Sequence, residues 1–162
     1  MSVIDIAVAL RHQRIDDDAD AQLLADAQIK LNAAELAAMQ FLNRNVYADA
    51  SALSAARATV PALHADASDA YDAAIADAQS ITDANYQSIL TDAAEQIYSD
   101  AKAAISAIAM GMVINDQIIG AIMLIFGHLY ENREDVIAGL SLAQLPKGAE
   151  YLLWPYRVGL GV

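Results

Sequence analysis

The sequence predicts an all-α protein, a helical bundle, and three observations support this prediction. Alanine supplies much of the 57 % hydrophobic content, and it is the strongest helix former. All seven glycines lie at or after Gly111, and only three prolines occur, so the first hundred residues contain few backbone breakers. Apolar residues also recur at intervals of three and four over long segments. The predicted bundle has a long N-terminal helix, an Ala/Asp-rich helical hairpin, a buried apolar helix and a short C-terminal helix plus tail.

The N-terminal part predicts two helices. The first covers residues 3–12 and turns Ile6, Ala9 and Leu10 inward. A run of aspartates then favours the start of the second helix, residues 20–43, through capping and the helix dipole. This run lacks the glycine, the distal glutamate and the regular spacing of a calcium-binding loop. The aspartates are Asp16, Asp17, Asp18 and Asp20. The apolar stripe of the long helix is predicted to be Leu24, Ala27, Leu31, Ala34, Ala38, Phe41 and Leu42.

The middle of the chain predicts an antiparallel helical hairpin with an acidic outer face. Residues 43–49 are interpreted as a turn. Pro61 suits the first turn of a helix, which gives a helix over about residues 61–79. A second helix, residues 83–110, has apolar residues at alternating spacings of four and three, which is typical of a heptad seam. The seam of the second helix is Tyr86, Leu90, Ala93, Ile97, Ala101, Ala104 and Ile108. A weaker matching stripe on the first is Leu63, Ala67, Ala70, Ala74 and Ala78.

The C-terminal part predicts a central helix and a short final one. Residues 111–114 break the helical pattern, and Asn115 or Asp116 can cap a helix over residues 117–133. This helix is apolar on nearly all sides, which indicates that it is buried. Gly120 and Gly127 share one of its faces and predict close approach of another helix. Residues 135–145 are interpreted as an irregular loop.

The final helix is predicted over residues 147–154. Pro146 fits its start, and Pro155 stops it. The tail that follows is apolar and contains glycine, so it is not expected to order alone. The predicted organisation is one domain, residues 1–162, with a hairpin excursion at 48–106 and a tail at 155–162.

Composition excludes several functional classes. The formal net charge is −12, so the chain lacks the basic surface with which proteins grip nucleic-acid phosphates. Cysteine is absent, which removes disulfides, thiolate zinc sites and cysteine nucleophiles. The most apolar run, residues 117–130, is shorter than the ~20 residues of a spanning helix. Asp5 within the first apolar run argues against a signal peptide, and we expect a soluble protein of the cytoplasm at the time of its synthesis.

The sequence contains no motif that requires an enzyme. His128 and Glu131 share a helix face, but di-metal bundle sites place the glutamate first and need a second such pair, which is missing. No nucleophile elbow, phosphate-binding loop or dinucleotide glycine pattern occurs. We therefore expect no catalytic residue, no cofactor and no metal site.

Aromatic and arginine residues concentrate near the C-terminus, and Trp154, the only tryptophan, is among them. Such residues anchor protein interfaces. The alternative is that Trp154 and Tyr156 cover the core, and the sequence leaves both interpretations open.

Four segments together resemble the head–tail connector (adaptor) family of tailed bacteriophages. HLYENRED, residues 128–135, is followed at the proper separation by LPKGAEYLLWPYR, residues 145–157. The segments ALRHQRIDDDAD, residues 9–20, and FLNRNVY, residues 41–47, agree with the N-terminal part of that family. The resemblance covers about residues 1–47 and 107–157, with the alanine-rich hairpin between them contributing little.

This resemblance implies a non-enzymatic virion protein of the neck between capsid and tail. About a dozen copies would form a ring that docks on the portal protein, extends the DNA channel and contacts a head-completion or tail protein. DNA would pass without sequence-specific binding, and no membrane is involved. The resemblance assigns portal binding to the C-terminal tail, namely Trp154, Pro155, Tyr156, Arg157, Val158 and Leu160. Candidate ring-interface residues are Tyr130, Asn132, Arg133 and Glu134.

Two alternatives remain open. The chain is also compatible with an acidic helical binding module, chaperone-like or antitoxin-like, that grips one protein partner as a monomer or dimer. An enzyme with a carboxylate metal site in the bundle would require metal uptake involving His128.

Overall fold

A computed structural model describes residues 2–14, 20–131 and 146–159 of the chain. These residues are mainly helical, with almost no strand, so the predicted all-α class is confirmed. The helices are α1 (Ile6–His12), α2 (Ala21–Leu42), α3 (Ala50–Gln79), α4 (Ala84–Ala109), α5 (Asp116–Glu131) and α6 (Lys147–Leu153), with a 3-10 turn at Trp154–Tyr156. Two short strands, β1 (Val46–Tyr47) and β2 (Met112–Val113), accompany them.

The chain divides into two compact units. One consists of Met1–Ala50 and Met112–Val162 and is called the core unit here. The other, Ser51–Gly111, is called the hairpin unit and contains nearly all of α3 and α4.

The core unit is built around α5, which packs against α1, α2 and α6. The prediction that α5 is a buried apolar helix is confirmed, since six of its residues are buried. The predicted stripe of α2 is also largely correct, although Leu24 is 36 % exposed and Phe41 is only half-buried. The largest fully buried side chains are Phe126, Leu31, Leu42, Ile118, Ile122 and Leu153.

Side-chain caps fix where several helices begin. The Asp20 carboxylate accepts a hydrogen bond from the Leu23 amide at 2.7 Å, which confirms the predicted start of α2. Asn115, one of the two predicted caps, accepts from the Ile118 amide at 3.0 Å at the start of α5. The remaining aspartates of the predicted capping run, residues 16–18, lie outside the described residues.

Two short strands pair in parallel. One lies in residues 43–49, predicted as a turn, and the other in residues 111–114, predicted as a break in the helical pattern. The Met112 amide donates to the Asn45 carbonyl at 3.0 Å, and the Ile114 amide donates to the Tyr47 carbonyl at 2.8 Å. Val46 is buried between its neighbours, so the pair belongs to the core unit. Parallel strands need a long crossover connection, and residues 48–111 supply it.

Contacts within the hairpin unit show that α3 and α4 run antiparallel. Near the start of α3, the Arg57 guanidinium donates to the carbonyls of Ala109 and Gly111, at the end of α4. Further along, the rings of Tyr71 and Tyr98 stack with centroids 4.7 Å apart. The predicted helical hairpin is therefore present.

The predicted start of α3 is wrong, because the helix begins at Ala50 and Pro61 lies inside it. Proline has no amide hydrogen, so the Arg57 carbonyl four residues earlier lacks its usual helical donor. The alanine-rich flanks have high helix propensity, which carries the helix through this position.

The predicted seam of α4 is also partly wrong. Leu90, Ala101 and Ile108 lie on its inner side, whereas Ile97 is 69 % exposed. The residue that is buried is Ala94, beside the predicted Ala93. Alanines occupy several faces of α4, so the sequence pattern does not fix the packed face to within one residue.

The two helical glycines of α5 face different neighbours. A methyl group at Gly120 would lie 3.6 Å from Leu152 of α6, which agrees with the predicted close helix contact. At Gly127 the neighbour is the Gln13 side chain, whose Nε2 would lie only 2.6 Å away.

Candidate interaction surfaces

The C-terminal segment is held against the end of α2 by three hydrogen bonds. The Val158 amide donates to the Leu42 carbonyl at 3.0 Å, and Asn43 Nδ2 donates to the Val158 carbonyl at 3.1 Å. Arg44 Nη1 donates to the Tyr156 carbonyl at 3.2 Å. The Arg44–Tyr156 bond joins the FLNRNVY and LLWPYR segments within the core unit, and the other two bonds hold Val158, the residue that directly follows LLWPYR.

This docking revises the expected tail. We predicted that the tail begins at residue 155, but residues up to Val158 are anchored to α2. Tyr156 packs against the core, and its hydroxyl donates to Gln117 Oε1 at 2.6 Å. Of the residues assigned to portal binding, Leu160 lies outside the described part of the chain.

Trp154 differs from Tyr156 because much of its ring faces solvent. It is 55 % exposed, and Tyr151 on α6 is 81 % exposed. The Arg157 guanidinium lies 5.0 Å from the Phe41 ring centroid and 5.8 Å from that of Trp154, within the range of cation–π attraction. The Trp154 ring is therefore oriented by contacts within the chain while it stays accessible.

A surface groove of about 510 Å³ adjoins these aromatic rings. We call it the α6 groove, and its lining residues are Gln117, Lys147, Glu150, Tyr151, Leu152, Trp154 and Pro155. Exposed aromatic rings beside a groove are typical anchors of protein interfaces.

A second exposed apolar surface lies on α2. Ile29 is 68 % exposed and Leu36 is 57 % exposed. They are seven residues apart, so they share one face of the helix, and this face is opposite to the buried stripe containing Leu31 and Ala38. The described part of the core unit therefore presents two separate apolar surfaces, this α2 outer face and the α6 groove.

Of the predicted ring-interface residues, the structure describes only Tyr130. It is half-buried, with its ring 5.9 Å from that of Phe126 and with Lys30 Nζ 5.0 Å above its centroid. Its ring thus packs inside the core unit. Asn132, Arg133 and Glu134 lie outside the described residues.

One buried carboxylate escaped the sequence analysis. Glu35 is 4 % exposed and accepts hydrogen bonds from the amides of Val3 and Ile4 and from the Ser2 hydroxyl. It fixes the N-terminal segment on α2. The sequence feature that could have indicated its burial is its position on the edge of the buried stripe of α2. Glutamate at such a position is usually exposed to solvent, so the burial was not predicted.

The residues with metal-binding or catalytic side chains are dispersed. Among residues 2–14, 20–131 and 146–159, no three histidine, aspartate or glutamate side chains come together as a metal site would require. Within the same residues, no helix combines the length and apolar character that crossing a membrane requires.

We compared the chain with protein-family models, with curated proteins and with solved structures, and found no match in any of the three. The functional interpretation therefore depends on the motifs and on the surfaces described above.

Proposed function

We propose that the chain is a subunit of a head–tail connector ring that docks on the portal of a tailed bacteriophage. The observation that carries this proposal is the docking of the LLWPYR segment on the FLNRNVY segment, since both belong to the resemblance and lie far apart in sequence. Residues 128–131, the first four of HLYENRED, form the end of α5, the central helix of the same unit. The described parts of these motifs thus belong to one packed structure.

The two apolar surfaces of the core unit offer one contact for ring formation and one for portal docking. A ring built from identical subunits needs two different, complementary patches on each subunit. In this proposal the α2 outer face, with Ile29 and Leu36, contacts a neighbouring subunit. The α6 groove, with Tyr151 and Trp154, binds the portal.

The charge of the chain supports a channel function. A ring multiplies the net charge of −12 by the number of subunits. Such a ring repels the phosphates of DNA, so DNA slides through without the salt-dependent retention that a basic lining would cause.

The test is purification of the chain with its cognate portal protein, followed by mass determination and electron-microscope imaging. We expect a ring stacked on the narrow end of the portal. A chain that stays monomeric beside an intact portal would contradict the proposal. The proposal allows the ring to assemble only on the portal. A monomeric state of the isolated chain, without the portal, therefore does not contradict it.

Trp154→Ala tests whether the α6 groove contacts the portal, and Tyr86→Ala is its control. We expect it to weaken portal binding by about tenfold or more, because exposed tryptophans at interfaces often dominate affinity. Tyr86→Ala removes an aromatic ring that is 54 % exposed in the hairpin unit and should leave binding unchanged. Equal affinities of the two variants would remove the α6 groove from the proposed portal contact.

A further inference from the structure

The apolar seam of α4 is wider than the surface that α3 covers. Leu90 and Ala101 face inward, but Tyr86 is 54 % exposed and Ile97 is 69 % exposed. Ala93 and Ala104 are exposed as well. A seam of this width is typical of a helix that contacts two neighbours, and the hairpin unit supplies only one.

The exposed half of this seam borders a groove of about 380 Å³ between α3 and α4, which we call the hairpin groove. Its lining is almost wholly apolar and contains small side chains, which allow another backbone to approach closely. The stacked rings of Tyr71 and Tyr98 form part of its wall. The lining residues are Ala67, Ala70, Tyr71, Ala74, Ala94, Ile97, Tyr98 and Ala101.

Acidic side chains flank the lining residues on both helices. Asp66 precedes Ala70 by four residues, Asp77 follows Ala74 by three, and Asp100 follows Ile97 by three. Residues at these spacings are neighbours on a helix surface. All three carboxylates are exposed, and none forms an ion pair with a described residue.

The two basic residues of the hairpin unit do not neutralise these carboxylates. The Arg57 guanidinium donates to two backbone carbonyls. Lys102 Nζ lies 4.5 Å from the Tyr98 ring centroid. The groove is therefore apolar along its length and negatively charged at its margins.

We propose that the hairpin groove binds one helix of a different protein, a helix with an apolar seam flanked by lysine or arginine. The apolar seam covers Ile97 and the exposed alanines, which completes a three-helix bundle. The flanking cations pair with Asp66, Asp77 and Asp100. A second copy of this hairpin fits less well, because it would bring the same acidic margins together.

The probes are three labelled helical peptides, titrated with the full-length chain and followed by fluorescence anisotropy. The first has leucine and alanine in its seam and lysine beside it. The second replaces each lysine with glutamate, and the third keeps the lysines but has serine in the seam. We expect the first to bind at least about tenfold more tightly than either of the others, since both the apolar contact and the charge are required. Raising the salt concentration should reduce the difference in affinity between the first and second peptides, because salt screens the charge contacts.

Two glutamate variants locate the binding site, and a serine variant separates the effect of charge from that of side-chain size. Ile97→Glu should weaken binding of the first peptide by about tenfold or more, because it places a charge in the apolar groove. Ala103→Glu adds the same charge nine residues after Ala94, on the far side of α4, and should change affinity less than about twofold. Far-UV circular dichroism should be unchanged for both, since both positions are exposed. Ile97→Ser, which shortens the side chain without adding charge, should give an intermediate loss.

Three results would overturn the proposal. Equal binding of the lysine peptides with leucine and with serine seams would show unspecific attraction to an acidic chain. Insensitivity to Ile97→Glu would place the peptide elsewhere. A concentration-dependent dimer of the native chain, dissociated by Ile97→Glu in sedimentation experiments, would assign the groove to a second copy. None of these results tests portal docking, because the proposed helix binding in the hairpin groove does not depend on it.

Discussion

The two units of the chain are helical for different reasons. The core unit buries Phe126, Leu31 and other large side chains completely, so its helices are stabilised by tertiary packing. In the hairpin unit the buried hydrophobic side chains are two alanines, Ala78 and Ala94. Its helices instead depend on the high helix propensity of alanine and on end contacts such as those of Arg57. A high hydrophobic percentage therefore does not imply a large core when alanine supplies it.

The largest expected difference between the units comes from truncating isoleucine in each. Ile122→Ala removes a fully buried side chain and should lower the free energy of unfolding by about 2–5 kcal/mol. Ile97→Ala truncates a side chain that is 69 % exposed and should change it by less than about 0.5 kcal/mol. Urea unfolding is followed by circular dichroism and by the fluorescence of Trp154, which belongs to the core unit. Similar losses of unfolding free energy for Ile122→Ala and Ile97→Ala would refute this difference between the two units.

A glutamate pair tests the polar contacts of each unit. Glu35→Ala leaves the Val3 and Ile4 amides without their acceptor and should cost about 2–3 kcal/mol. Glu95→Ala removes an exposed carboxylate of α4 and should cost less than about 0.5 kcal/mol. For both variants, the change in the free energy of unfolding is obtained from the midpoint of urea unfolding. A negligible loss for Glu35→Ala would mean that the N-terminal segment is held without this carboxylate.

The smallest expected difference concerns two tyrosine hydroxyls. Tyr156→Phe removes the 2.6 Å hydrogen bond to Gln117 and should lower stability by about 0.5–1 kcal/mol. Tyr86→Phe removes a hydroxyl from a ring that is 54 % exposed, and we expect no measurable change. Thermal unfolding of both variants beside the native chain gives the comparison. Equal melting temperatures would indicate that water replaces the Gln117 contact at no cost.

The sequence predicted the parts of the fold that depend on local patterns. Helices α2, α4, α5 and α6 lie close to their predicted ranges because caps, prolines and apolar stripes mark them. Asp20 and Asn115 act as caps where the residue type predicted it. The start of α3 was wrong because Pro61 suits a helix start yet is tolerated inside an alanine-rich helix.

Features that depend on distant contacts were not predictable. A two-residue strand such as β1 has no recognisable pattern and exists because β2 lies beside it. The C-terminal tail was not expected to order alone, and the anchor of its first residues is the polar end of α2, which no periodicity indicates. The sequence left open whether Trp154 and Tyr156 cover the core, and the division into a packed Tyr156 and an accessible Trp154 required the structure.

The β1–β2 pair has a consequence for how the chain folds. It joins segments separated by residues 48–111, and closing so long a loop costs conformational entropy as the chain folds. We expect the helical hairpin to form early, because its contacts are local, and to bring its own two ends together. The strands then meet across a short gap. Lengthening the hairpin by whole turns in both helices should therefore slow folding very little, so this segment can vary in length while the rest of the molecule is retained.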